Sequence, residues 1–195
     1  PFSPLVTKKI EEVLAMGLAV DMIAPSHGVI WRKDPLQIAH KYMEWAKQIP
    51  ERRAVILADT MWQATMKMAE AIGEGLVGKG VPFKIFNMAL SDRNDVLTQV
   101  FRSKAVIVGS PCLNGGLLPT LTPVLEDLKG LKFKNKVGAA FGSYGWSGEN
   151  VKRIEKELEA AGIPLAAPGV LAKWQPDEES LAKCRALGAQ VAEKL

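Results

Sequence analysis

From residue 51 onward, short apolar segments alternate with segments in which apolar residues recur every three or four positions. The first kind predicts strands at 53–58, 82–87, 104–109, 136–142 and 168–173, and the second predicts helices at 64–79, 91–102, 118–130, 148–161 and 177–194. The strand segments lack polar alternation, which is typical of a parallel sheet that helices cover on both faces. Repeated strand–helix units with right-handed crossovers therefore predict an α/β fold, a doubly wound three-layer sandwich.

Residues 1–50 do not follow this alternation. Their spacing predicts a helix that ends near Gly17, a short strand at 19–24 and a second helix at 36–48. A single strand between two helices cannot form a stable sheet. We therefore expect an N-terminal helical appendage at 1–50, which packs on another domain, another subunit or the main fold, and a main domain at 51–195.

Composition and charge exclude several classes of partner. The chain has 195 residues, of which 48% are hydrophobic and 24% charged, as in ordinary globular proteins. No apolar run reaches the roughly 20 residues of a membrane span, so no membrane partner is expected. The net charge of +4 comes without a dense Lys/Arg block, which gives nucleic-acid binding no support. A mildly basic surface instead favours an acidic protein partner.

The cysteines and the first residue indicate the cellular compartment and the origin of the chain. Cys112 and Cys184 are the only cysteines and are far apart in sequence, which predicts no disulfide framework and favours a reducing cytoplasm. The first residue is Pro1 rather than Met, so we expect the chain to begin inside a longer gene product or after processing.

The loop after the first predicted strand has the features of an anion site. Its sequence is Asp-Thr-Met-Trp-Gln-Ala-Thr at 59–65, and a helix follows. Free backbone N–H groups and the helix dipole favour an anion there, and Thr60 and Thr65 can add hydroxyl donors. The loop contains no Lys or Arg, which predicts a phosphate held by neutral donors. The alternative is an ordinary helix start in which Thr acts as a cap.

Two further loops, after strands 104–109 and 136–142, are expected at the same rim. Ligands of such sheets bind beyond the carboxyl ends of the strands, where the strand order reverses. Asn114 and Gly115 can adopt positive φ and approach a flat ligand closely. Tyr144 and Trp146, together with Trp62, can form a stacking slot for a planar ring. A phosphate at one end and a flat ring at the other describe a mononucleotide-like cofactor, whereas the alternative for the two aromatics is a hydrophobic plug or an oligomer contact.

The sequences of these three loops resemble those of a known protein family. Thr-Met-Trp-x-x-Thr at 60–65, Gly-Ser-Pro at 109–111 with Asn114, and Gly-Ser-Tyr-Gly-Trp at 142–146 resemble the three FMN-binding loops of flavodoxin-like domains, specifically those of flavodiiron proteins. The resemblance implies a flavodoxin-like sandwich with a five-stranded parallel sheet in the order 2-1-3-4-5. It also implies that FMN is the cofactor, with contacts from Thr60, Met61, Trp62, Ala64, Thr65, Ser110, Pro111, Cys112, Leu113, Asn114, Gly115, Ser143, Tyr144, Gly145 and Trp146.

The same resemblance implies an electron-transfer function. Proteins of this family pass electrons from rubredoxin or a flavin reductase through FMN to a diiron site that reduces O₂ or NO. Separately, the apolar residues of the N-terminal appendage lead us to expect a homo-oligomer. The segment Ala-Pro-Ser-His-Gly at 24–28 resembles the end of the family's metallo-β-lactamase-like domain, where His27 would be an orphan iron ligand. The remaining iron ligands are absent from this sequence, so a diiron site is expected only in a longer parent protein.

Other functions on this fold remain open from the residues alone. Cys112 stands where the family leads us to expect Thr, either as a small loop residue or as a redox-sensitive thiol. A stand-alone NAD(P)H-linked flavin or quinone reductase shares the fold, although no nicotinamide-binding motif is present. A non-redox regulatory module would require an acidic cluster near Asp59, and a P-loop NTPase would require a Gly-Lys-Ser/Thr motif that this sequence lacks.

Overall fold

Five apolar segments after residue 49 form one parallel sheet. In the computed structural model, which describes residues 2–195, its strands are β1 (Glu51–Ala58), β2 (Phe83–Asn87), β3 (Ser103–Gly109), β4 (Val137–Tyr144) and β5 (Val170–Lys173). Their spatial order is β2-β1-β3-β4-β5, and every neighbouring pair is parallel. The predicted five-stranded parallel sheet and its order are therefore confirmed.

Helices cover both faces of this sheet. The helices of the chain are α1 (Ser3–Ala15), α2 (Leu36–Ala46), α3 (Ala64–Val77), α4 (Arg93–Arg102), α5 (Thr122–Leu131), α6 (Glu149–Ala160) and α7 (Glu178–Ala192). Ile56 of β1 packs in one core with α3 and α7, whereas Val55 and Leu57 pack in a second core with α4, α5 and α6. All three side chains are fully buried. This is the predicted three-layer α/β sandwich.

Prolines move two element boundaries away from their predicted positions. β5 begins at Val170 rather than at 168, because Pro168 has no N–H to donate to a neighbouring strand. The helix predicted at 118–130 is a short 3₁₀ turn, Pro119–Leu121, followed by α5. Pro123 lies in the first turn of α5, where its missing N–H costs nothing, so the α-helix starts there.

Residues 2–49 belong to a separate compact unit, Pro1–Ile49, and the sheet belongs to the unit Pro50–Leu195. The strand predicted at 19–24 is wrong. Only Ile23 pairs, in an isolated antiparallel bridge with Trp31, because the segment has no continuous neighbouring strand and Asp21 interrupts its apolar run. None of residues 2–49 is buried, so the apolar side chains of α1 and α2 lie outside any core that this chain provides.

The register of the sheet brings the loops after β1, β3 and β4 to one rim. Ala58 pairs with Gly109, Gly109 with Phe141, and Phe141 with Val170. The four strands are direct neighbours, so their following loops leave the sheet side by side. The chain reverses its winding between β1 and β3, which is the position where ligands bind in sheets of this kind.

Candidate functional site

One cavity of about 620 Å³ opens at this rim. Thirteen of the fifteen predicted cofactor contacts line it; the exceptions are Thr65 and Ser110, which are fully buried next to it. The structure therefore brings the three predicted loops together. The residues that line the cavity are Thr60, Met61, Trp62, Ala64, Pro111, Cys112, Leu113, Asn114, Gly115, Ser143, Tyr144, Gly145, Trp146, Ser147, Trp174 and Gln175.

The first loop presents the start of α3 to the cavity. Asp59 is buried and fixes the loop: it accepts a hydrogen bond from the Thr60 N–H at 2.6 Å and another from the Thr120 hydroxyl. Gln63 precedes α3 in a left-handed conformation, with φ 64°, and its side chain does not cap the helix. The first-turn N–H groups of α3 thus keep their capacity for an external acceptor, and the helix dipole favours an anion.

Two hydroxyls of this loop fit a phosphorylated ligand. The Thr60 Oγ1 is buried and has no hydrogen-bond partner among residues 2–195. A buried hydroxyl without a partner is costly, so an external acceptor at this position would stabilise it. The Thr65 Oγ1 lies 3.2 Å from the Ser143 Oγ, which links the first loop to the third. The donor set of the loop therefore fits a phosphate.

The second loop contains a tight two-residue turn. Asn114 and Gly115 both have positive φ, 50° and 68°. Leu113 and Gly116 exchange backbone hydrogen bonds on either side of them, with N···O distances of 3.2 and 2.8 Å. Consecutive positive φ values with Asn-Gly are typical of a type I′ turn. The expected close approach of backbone to ligand is thus available here, because Gly115 carries no side chain.

Buried polar contacts hold the second and third loops together. The Asn150 Nδ2 donates to the carbonyl oxygens of Ser110 and Ser143, at 2.6 and 3.2 Å. The Ser110 Oγ accepts a hydrogen bond from the Leu118 N–H at 3.0 Å. A Cβ at Gly142 would lie 2.2 Å from the Ser110 oxygen, so only glycine permits this approach. Ser110 therefore helps to hold the second and third loops together and does not itself line the cavity.

The tryptophan side chains of the site are exposed, and Tyr144 is half-buried. Trp62 and Trp146 expose 80% and 90% of their surface. For Trp146 this exposure does not fit the alternative of a hydrophobic plug, whereas Tyr144, to which the same alternative applied, is half-buried. Trp146 and Trp174 form an edge-to-face pair with ring centroids 5.0 Å apart, an arrangement that aromatic pairs prefer. Exposed indoles beside a cavity leave apolar surface available for a planar ring.

Sequence reasoning missed a fourth loop, which follows β5. Trp174 and Gln175 line the cavity. The Gln175 Nε2 donates to the Trp62 carbonyl oxygen at 2.9 Å. The sequence could have indicated this loop, because both residues directly follow the strand predicted at 168–173. Ligands of such sheets bind at the carboxyl ends of the strands, and this strand is no exception.

The side chains that line the cavity are uncharged, and the Glu149 carboxyl lies just outside it. None of the described residues that line it carries a charge. Just outside, the Cys112 Sγ lies 3.6 Å from the Glu149 Oε2. The Ser147 hydroxyl, and to a smaller degree the Cys112 thiol, lower the pKa of the Glu149 carboxyl by hydrogen bonding. The other cysteine, Cys184, lies in the core, where burial raises its pKa to about 12.

The surroundings of His27 and the character of the helices bear on the predicted iron site and on membrane partners. The Nδ1 of His27 lies 3.0 Å from the Ser26 Oγ on an exposed segment. Residues 2–195 contain no cluster of three or more His, Cys, Asp or Glu side chains that could hold a metal ion. Over the same residues, no helix has the length and apolar character that crossing a membrane requires.

Comparisons with known proteins identify the family. The family model described as Flavodoxin matches residues 56–188. A nitric oxide reductase from Moorella thermoacetica is 48% identical over an alignment of 196 positions that covers 100% of this chain and 49% of that protein. The structure of rubredoxin oxygen:oxidoreductase from the anaerobe Desulfovibrio gigas has a TM-score of 0.94 at 35% identity, covering 99% of this chain and 49% of that one.

A shorter protein matches part of the chain. A flavodoxin from the domain Archaea has a TM-score of 0.65 at 30% identity, covering 73% of this chain and 97% of that one. Our chain thus spans about half the length of the nitric oxide reductase and of the oxygen:oxidoreductase, and nearly the whole of a flavodoxin. The chain therefore belongs to the flavodoxin family, and it corresponds to the flavodoxin-like domain of flavodiiron proteins.

Proposed function

We propose that this chain binds FMN in the cavity at the rim of the sheet and serves as an electron-transfer domain. The observation that carries the proposal is the polarity of the cavity. Uncapped helix N–H groups and an unpartnered Thr60 hydroxyl lie in the first loop, and the exposed indoles of Trp146 and Trp174 lie in the third and fourth loops of the same cavity. A phosphorylated, planar ligand matches both ends at once.

At the first end, the loop from Thr60 to Thr65 would hold the phosphate. The N–H groups at the start of α3 donate hydrogen bonds, and the Thr60 and Thr65 hydroxyls add two more donors. No cation lines the cavity, so the phosphate would keep its negative charge close to the ring. That charge opposes the addition of further negative charge to the ring and would lower its reduction potential.

At the other end, the second and third loops would hold the ring. The Asn114–Gly115 turn places bare backbone beside the cavity, where a peptide group can hydrogen-bond to the polar edge of a flavin. Tyr144 and Trp146 would cover a ring face and exclude water from it. When bound, FMN supplies the one- and two-electron chemistry, and the protein supplies position and electrostatics.

We further propose that this domain works inside a longer flavodiiron protein. Support comes from relatives named nitric oxide reductase and rubredoxin oxygen:oxidoreductase, of which the chain spans about half. In such a parent, residues 1–50 would be the end of a metallo-β-lactamase-like domain plus a linker helix, and His27 would join a diiron site completed by residues outside this chain. The mild positive charge of +4 suits an acidic electron donor of the rubredoxin type.

Two further expectations go with the parent protein. A homo-oligomer would cover apolar side chains on residues 2–49, none of which is buried by this chain. The cytoplasm suits a domain whose two cysteines are both free. Asp59 does not support a regulatory module on this fold, because it belongs to no cluster of three or more His, Cys, Asp or Glu side chains suited to a metal ion among residues 2–195.

The proposal is tested by the pigment of the purified chain. We expect a yellow protein, or an apoprotein that becomes yellow with FMN, with about one FMN per chain released on denaturation. Riboflavin and FAD serve as comparison ligands, because the first lacks the phosphate and the second carries an additional nucleotide on it. A colourless protein that takes up no FMN would contradict the proposal.

A further inference from the structure

The loop after β5 contacts both ends of the cavity through two adjacent residues. Gln175 contacts the first loop, which lies 113 residues earlier in the sequence, at Trp62. Trp174 contacts the third loop at Tyr144 and Trp146. Neither residue was among the contacts implied by the resemblance, and both are exposed, so the core does not explain them.

Gln175 fixes the orientation of a peptide group in the first loop. Its Nε2 donates to the Trp62 carbonyl at 2.9 Å, and its Oε1 accepts from the Lys67 Nζ at 3.1 Å. Because an ammonium group can only donate, Lys67 fixes which end of the amide faces Trp62. The Trp62 carbonyl and the following N–H belong to one planar trans peptide and point in opposite directions. Holding the carbonyl therefore sets the direction of that N–H.

Trp174 is held against the third loop in an unusual backbone conformation. Its φ is 57°, a left-handed value that is rare for a bulky residue. Its N–H donates to the Tyr144 carbonyl at 2.7 Å. Its ring lies over Gly145, where a Cβ would come within 2.7 Å of it, and meets Trp146 edge to face at 5.0 Å. Residues in such strained conformations cluster at functional sites.

We propose that Trp174 and Gln175 act as a two-armed brace that positions the first and third loops for one ligand. The Gln175 arm positions the phosphate-binding loop, and Lys67 acts through it. The Trp174 arm positions the indole of Trp146 that lies beside the ring. This inference rests on the proposed binding of FMN and adds to it two positioning residues outside the three expected loops.

The two arms predict different effects on two ligands. Gln175→Leu removes the donor to Trp62, so FMN affinity should fall about five- to tenfold, the loss expected for one hydrogen bond. Riboflavin has no phosphate, and its affinity should stay within about twofold. Trp174→Gly keeps the left-handed backbone accessible but removes the indole. It should weaken FMN and riboflavin alike, by about fivefold or more.

Titration of the apoproteins with FMN and with riboflavin, followed by flavin fluorescence, tests the brace. Gln190→Leu is the matched control, because Gln190 is exposed on the same helix that follows the brace, about three turns further along. Lys67→Met should reproduce part of the Gln175→Leu effect and add little to it in the double variant. Unfolding of each apoprotein in urea verifies that all variants are folded.

The outcomes separate the brace from the proposed function. If the unaltered chain binds FMN and Gln175→Leu binds it as tightly as Gln190→Leu does, the brace is wrong and FMN binding stands. Equal weakening of FMN and riboflavin by Gln175→Leu also overturns it, because a general structural role would act on both ligands. If the unaltered chain binds no FMN, the proposed function fails, and the brace fails with it.

Discussion

At the residue scale, Thr65 tests the proposed position of the phosphate. It is fully buried at the start of α3, and its hydroxyl lies 3.2 Å from that of Ser143. Thr65→Val keeps the shape and removes the donor. We expect FMN affinity to fall by about 1–3 kcal/mol, the cost of one unsatisfied polar contact. Fluorescence titration of the apoprotein measures the change.

Thr98→Val is the control for that substitution. Thr98 is exposed on α4, where its hydroxyl donates to the Asn94 carbonyl at 2.8 Å. It lies outside the cavity, so FMN affinity should not change. If Thr65→Val folds normally and binds FMN as the unaltered chain does, the phosphate does not lie at the start of α3.

We expect Lys136 to make the stability of the folded chain depend on pH, with or without the cofactor. Its side chain is buried at the start of β4, and its Nζ donates to the Phe101 and Ser103 carbonyls at 2.7 and 2.6 Å. Burial lowers the pKa of Lys136 from 10.5 to about 8. The unfolded chain therefore binds more protons than the folded chain between those pH values. The contribution of Lys136 to the free energy of unfolding should therefore rise as the pH increases from about 8 to 10.5.

The comparison of the unaltered chain with Lys136→Met isolates this effect. Between pH 7 and pH 10.5, the free energy of unfolding of the unaltered chain should increase relative to that of the variant. The increase should be on the order of 3 kcal/mol at most, since each pKa unit corresponds to about 1.4 kcal/mol. Urea unfolding at several pH values measures it. Parallel curves for the two proteins would show that Lys136 does not titrate in this range.

At the scale of elements, α3 and α7 pack together through glycines. A Cβ at Gly188 of α7 would lie 2.1 Å from the Ile72 carbonyl oxygen, and one at Gly75 of α3 would lie 2.0 Å from the Arg185 oxygen. The two helices follow the first and the fourth loop of the site. Their close packing therefore sets the position of the phosphate-binding end relative to the brace.

Gly188→Ala should separate these helices. The obstructing atom belongs to the backbone, so the helix itself must shift, and we expect a loss of about 1–3 kcal/mol in the free energy of unfolding. Gly130→Ala in α5 is the matched control, because nothing lies within 4 Å of its Cβ. It should be neutral or stabilising by up to about 1 kcal/mol through helix propensity. Equal effects of the two changes would contradict the packing argument.

The elements of the main unit could be predicted because their signals are local. Apolar runs without polar alternation indicate buried parallel strands, and Asn114–Gly115 carries the chemistry of its turn in the residues themselves. The strand at 19–24 was wrong because strand formation depends on a neighbour that the segment does not encode. Gln175 differs, because its place after a predicted strand could have marked its loop, whereas its hydrogen bond to Trp62, 113 residues away, could not be predicted from the local sequence.

At the scale of the whole molecule, the site belongs to one of the two units. Every residue that lines the cavity lies in the unit Pro50–Leu195, which also contains both cores of the sandwich. A chain of residues 50–195 should therefore fold and bind FMN within about threefold of the affinity of the 195-residue chain. Parallel fluorescence titrations measure this ratio. Loss of FMN binding in the shorter chain would mean that residues 1–49 contribute to the site.

The central claim is that separate loops at one rim of the sheet hold a phosphorylated flavin in a defined direction. The crystal structure of the chain with FMN tests it most directly. We expect the phosphate at the start of α3, within hydrogen-bond distance of the Thr60 and Thr65 hydroxyls, and the flavin ring between the Asn114–Gly115 turn and Trp146. FMN bound elsewhere, or with its phosphate at the opposite end of the cavity, would contradict the account.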